Sequence, residues 1–198
     1  MNKNDLLKCI AEKGYDVGFG AKKHFATYDI IEKAPGLISF IAMAFGILSL
    51  AVDGLSTELT SAIFIIFGVV GLYISLYDDK KHDYSGSGSK LTQLCNELKL
   101  LYLKVKNSDE SEDFRGVQQS LSEIENRHYS MCISKQILFS NWYAHYKFFW
   151  EHQIAWIDEQ LKFGFWRDKI PLSLVFFLLI LLAAAAAWFF DLLAYVCK

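Results

Sequence analysis

Three long stretches of this chain lack any Asp, Glu, Lys, Arg or His: Pro35 to Val52, Leu59 to Tyr77 and Pro171 to Phe190. About 18 helical residues cover roughly 27 Å, close to the hydrocarbon thickness of a bilayer. A soluble domain of 198 residues could bury one uniformly apolar helix, but three would leave no polar face for water. Composition favours membrane spans over core helices. The chain is 53% hydrophobic, and all of its charged residues, 21% of the chain, fall outside the runs.

Other absences narrow the function. With no charge or histidine inside a span, a proton relay, an ion-coupled transporter and a voltage sensor each lack the group they would place there. The four cysteines, Cys9, Cys95, Cys132 and Cys197, show no C-x-x-C spacing, which speaks against zinc or a disulfide framework. Cys95 falls on an apolar helix face, where it serves as a small hydrophobe. There is no H-E-x-x-H, G-x-S-x-G or G-x-G-x-x-G, and "SGSGSK" lacks phosphate-loop spacing. Cys132 follows His128 by four residues without an orienting third group. No enzyme, cofactor or metal is expected. About 34 polar residues with several acids precede the first run, so that run is no signal peptide.

What is present sets an orientation. Six lysines (Lys3, Lys8, Lys13, Lys22, Lys23, Lys33) precede the first run and thirteen Lys/Arg lie between the second and third. The connection from Asp53 to Glu58 has none. The positive-inside rule then puts the N-terminus and residues 78–170 in the cytoplasm and the connection outside. If the third run also crosses, the tail "DLLAYVCK" ends outside; a re-entrant or interfacial placement is the alternative.

No useful strand alternation occurs, and the expected fold is all-α. Residues 1–34 form a lead-in helix broken in front by Gly14, Gly18 and Gly20. Residues 35–77 form a two-span hairpin. A Gly/Ser joint at Ser85 to Ser89 opens residues 78–170, where Lys90 to Lys106 and a long helix from Phe114 to Lys162, straight or kinked, make an antiparallel helical hairpin. Residues 171–198 form a third transmembrane helix and tail.

Three sets of residues are candidates for function. In the spans, Ser39, Ala42, Gly46 and Ser49, and Gly68, Gly71 and Ser75, have the small-xxx-small texture that lets helices approach closely in lipid. They would pack the hairpin or line a pore built by oligomers. Lys22, Lys23 and His24 could meet anionic headgroups, or belong to a plain solvated face. In "NWYAHYKFFWEHQIAW", Trp142, Tyr143, Tyr146, Phe149, Trp150 and Trp156 cover too much circumference for one internal seam. Packing between protomers, a lip on the membrane interface and base stacking with a nucleic-acid partner compete. The last lacks the usual net positive charge, because the chain carries −2.

The order of parts resembles a known family. "AKKHFATYDIIEKA", a tight two-span hairpin and the amphipathic "LTQLCNELKLLYLKVK" are similar, from about Tyr15 to Phe163, to SLATT domains, two-span effector modules of bacterial anti-phage defence. The resemblance implies an inner-membrane, toxin-like effector of abortive infection that oligomerises and perforates the membrane. A separate sensor would switch it on, a nucleotide synthase or a reverse transcriptase such as a retron. The third run and the lack of a fused sensor depart from the simple pattern, so the trigger is expected from another polypeptide, a nucleic acid or a diffusible ligand. The alternative is a non-conducting membrane anchor that recruits a cytosolic complex through its aromatic helix.

Overall fold

The computed structural model describes residues 1–52, 57–110 and 112–196, with side chains as far as residue 187. Every regular element among them is helical. Helix α1, Lys3–Ala51, is 49 residues long, or about 73 Å at 1.5 Å per residue. It starts at Asn2, whose side chain accepts from Asp5 N–H at 2.8 Å, satisfying one of the orphan donors of the first turn. Pro35 lies inside it without ending it. The lead-in helix and the first span are therefore one element.

The first thirty residues of α1 are the spine of a helical head. Leu6, Leu7, Ile10, Ala11, Gly14, Val17, Gly18 and Ala21 are buried along one face. That face packs chiefly on α3, Lys81–Lys106, and on α5, Ser140–Phe149, and α6, Ala155–Leu161; α4, Arg115–Met131, packs mainly on α3. Leu91, Leu94, Leu98, Tyr102 and Val105 of α3 meet Leu121 and Ile124 of α4 and Phe148, Trp156 and Ile157 in one core.

Glycine explains two departures from expectation. Gly14, Gly18 and Gly20 do not break α1. A Cβ on Gly14 would strike the Trp156 indole, and one on Gly18 would come within 3.1 Å of the Phe148 ring and 3.3 Å of the Cys95 sulfur. Likewise Ser85 to Ser89 is no joint but part of α3, and the Phe25 ring lies 3.1 Å from where a Gly88 Cβ would be. Each glycine costs a helix about 1 kcal/mol relative to alanine. Close packing of an aromatic ring offsets that cost in the folded head.

The expected long helix from Phe114 to Lys162 is three shorter ones. α4 stops at Met131, residues 132–137 run without regular structure, and α5 and α6 follow. The apolar period alone did not show these stops, because nothing from Cys132 to Phe139 is Gly or Pro.

Beyond the head, α1 continues to Ala51, and α2, Glu58–Ser75, returns. Thr57 caps α2, its hydroxyl accepting from Thr60 N–H at 3.3 Å. Residues 53–56, with the expected acid Asp53, lie outside the described residues, as does Cys197. A three-residue 3-10 turn, Asp78–Lys80, leads into α3. A π-helical turn, Phe165–Lys169, precedes α7, Leu172–Val196.

Candidate functional site: the apolar hairpin and the strap beneath it

From Leu37 onward α1 has no buried residue, and in α2 only Ile74 is buried. Phe40, Met43, Ile47, Leu50, Ile65, Val69 and Leu72 point outward. Such a surface is untenable in water and ordinary in lipid. α1 and α2 are both long and apolar enough to cross a membrane. In α7 the described apolar part, Leu172–Ala187, is shorter.

The two spans touch through bulky rings, with Phe45 meeting Phe64 edge-on at 5.2 Å. Beside that contact a cleft of about 510 Å³ opens between the helices. Ser39, Ala42, Gly46 and Ser49 line it from α1 and Gly68 from α2; Gly71 and Ser75 lie outside it. Nothing stands within 4 Å of a Cβ built on Gly46, Gly68 or Gly71. The small residues therefore do not close the hairpin on itself. The serine hydroxyls return to their own helices: Ser39 donates to Pro35 O at 2.9 Å, Ser49 to Gly46 O and Ser75 to Leu72 O, both at 2.8 Å. They need no water or partner to be satisfied.

Beneath the hairpin, residues 132–139 form a strap pinned by side chains from three helices. His24 Nε2 accepts from Ile133 N–H at 3.0 Å while Nδ1–H donates to Gly20 O at 2.7 Å, which fixes a neutral ring. Thr27 donates to the Gln136 carbonyl oxygen, and Gln136 donates to Ile133 O. Tyr84 donates to Lys135 O at 2.6 Å, and Tyr73 of α2 accepts from Leu138 N–H at 3.2 Å. Lys135 sits 4.8 Å over the Tyr77 ring. Ile137 joins Ile31, Ile74, Tyr77 and Tyr84 in a second apolar cluster. The strap thus ties the foot of α2 to the head.

A family model for "SMODS and SLOG-associating 2TM effector domain 6", SLATT_6, matches residues 1–178. The chain belongs to the SLATT_6 family. No curated protein matches it, and no solved structure does. The match starts earlier and ends later than the stretch that carried the resemblance, and adds the first turns of α1, the π-helical turn and the first turns of α7. A SLATT_6 domain is by description a two-span effector module of the membrane, which accords with the hairpin.

Among the proposed headgroup residues of this SLATT_6 chain, His24 must be corrected. It is 3% exposed and holds the strap, and burial pushes its pKa below the usual histidine value. Lys22 lies thirteen residues before Pro35, roughly 20 Å down the helix. Lys23, one residue on, stands twelve residues before Pro35. Burial, and then the charge of Lys147, hold Lys22 below the usual lysine range. Asp29 is paired with two lysines: Lys147 reaches it at 2.6 Å and Lys33 at 2.8 Å. Burial would raise this carboxyl, but the two ammoniums outweigh it and hold it below the usual carboxylate range.

The aromatic candidates separate into inside and outside. Trp156 is buried against Gly14 and Tyr102, so its ring is spent on the core and not on a partner. Phe149 is half-buried between Phe148 and Phe163. Trp142 donates its indole N–H to Ser173 at 2.9 Å and packs on Phe177 at 5.4 Å, joining α5 to the start of α7. Tyr143 lies under Lys147 and stacks on Tyr146. Only Tyr146 and Trp150 are widely exposed. Sequence reasoning missed Phe148, the central ring of the head, and the anchors Tyr73 and Tyr84. Phe148 was legible as the apolar position four after Ala144; the anchors were not, because their partners lie 65 and 51 residues away.

Proposed function

We propose that this SLATT_6 domain is a pore-forming or membrane-disrupting effector of a bacterial anti-phage system, causing abortive infection when a separate sensor releases it to oligomerise. In this reading the head and N-terminus are cytoplasmic, α1, α2 and α7 cross the inner membrane, and the trigger is a reverse transcriptase, retron or nucleotide synthase acting on the head. The observation that carries the reading is the open cleft between the spans. Its small residues are unfilled by the chain itself, and close helix approach in lipid depends on such surfaces. A partner with different affinity for resting and active forms would supply the switching energy.

Induced expression with a membrane-potential dye tests it: wild-type chain should collapse the potential, and Gly46→Leu or Gly68→Leu should restore it more than Val70→Ala does at equal membrane abundance. An intact potential in wild-type cells would favour the second reading, a non-conducting anchor recruiting its complex through the exposed Tyr146 and Trp150, the usual kind of interface anchor.

A further inference from the structure

The strap ends in a strained, apolar tip. Phe139 has φ 67°, a left-handed backbone that a bulky residue adopts only when its surroundings impose it. The two side chains presented there, Leu138 and Phe139, are 60% and 49% exposed. A backbone distortion that turned two large apolar groups into water would add one unfavourable feature to another. The tip's neighbours are the feet of apolar helices: Leu138 N–H is held by Tyr73 in the last turn of α2, and Phe139 packs at 4.8 Å on Trp142, which bonds Ser173 in the first turn of α7. Leu138 and Phe139 therefore lie at the level where α2 ends and α7 begins. Lys135 stands three residues before the tip, over the ring of Tyr77.

We infer that Leu138 and Phe139 form a wedge inserted into the lipid interface on the head's side of the bilayer, between α2 and α7. Lipid supplies the apolar cover that the chain does not, and the Lys135 ammonium lies within reach of headgroup phosphates. The inference rests on α1 and α2 being bilayer spans. The wedge would fix the height and tilt of the head against the membrane, since the strap behind it is bound to α1, α2 and α3 at once.

Nitroxide labels test this in the full chain, with its own cysteines replaced by alanine, in vesicles of phosphatidylethanolamine and phosphatidylglycerol. Single cysteines are placed at Leu138, at Val70 on the open face of α2, and at exposed Leu100 on α3; a label at Phe139 is the second tip site should the Leu138 variant fail to fold. Collisions with dissolved oxygen report lipid, and collisions with a water-soluble nickel chelate report water. The tip label should gain oxygen collisions and lose most of its nickel collisions relative to Leu100, approaching the behaviour of Val70. A tip label as open to nickel as Leu100 overturns the wedge, and so does one shielded from both reagents, which would mean protein cover. A nickel-accessible Val70 would instead overturn the span reading itself.

Discussion

The two halves of α1 are one helix in two solvents. From Leu6 to Ile31 its residues divide into a buried face and a wet one; beyond Gly36 the division disappears and large apolar side chains point in every direction. Glycine means opposite things in the two halves. Gly14 and Gly18 are filled by Trp156 and Phe148, whereas Gly46 faces an open cleft. The head has solved its packing within one chain, and the hairpin has not. A fixed head on an unfinished membrane surface is what the proposed oligomerising effector would need.

The sharpest way to break this contrast is to fill both kinds of glycine. Gly14→Leu should cost the head about 3 kcal/mol through overpacking against Trp156, read as a lowered midpoint in detergent unfolding of the head. Gly46→Leu should leave that midpoint within about 0.5 kcal/mol. Equal losses would mean that the cleft is a packed part of the resting fold.

A smaller effect is expected from charge. Asp29→Ala leaves Lys147, itself largely covered, without its partner and should cost about 2 kcal/mol. Replacing both, Asp29→Ala with Lys147→Met, should recover much of the loss, because an apolar pair carries no stranded charge. A double variant as unstable as the single would show that Asp29 acts through Lys33 instead.

The smallest expected effect is on pH. His24, His128, His145 and His152 are all held below the usual histidine value, first of all by burial. A depressed folded pKa means that the unfolded chain takes up protons first. The stabilisation is complete above about pH 6.5, the unfolded value, and is lost as pH falls through the folded values. Head stability should therefore decline below pH 6.5, before the paired carboxylates titrate. Protonated His24 can no longer accept from Ile133, so His24→Gln, which does not titrate, should flatten part of that slope. An unchanged slope would place the acid sensitivity in the other three rings.

The division between solvents was legible in the sequence, as were the helical class, the amphipathic Leu91 to Val105 period and the family. Each depends on a run of neighbours along the chain: uncharged residues long enough to cross a bilayer, or apolar residues at helical spacing. Tertiary structure decided what no run contains. Whether Gly18 breaks a helix or admits a ring depends on Phe148, 130 positions away. Whether His24 meets headgroups or pins a strap depends on Ile133. The stop after Met131 carries no local signal, because the strap is held by hydroxyls and a ring from α1, α2 and α3 in place of a helix's own hydrogen bonds. Trp156 and Trp150, six apart and alike in sequence, were sent to the core and to the surface by the same cause. A side chain's role was fixed by what stood opposite it, and that became definite only when the helices met.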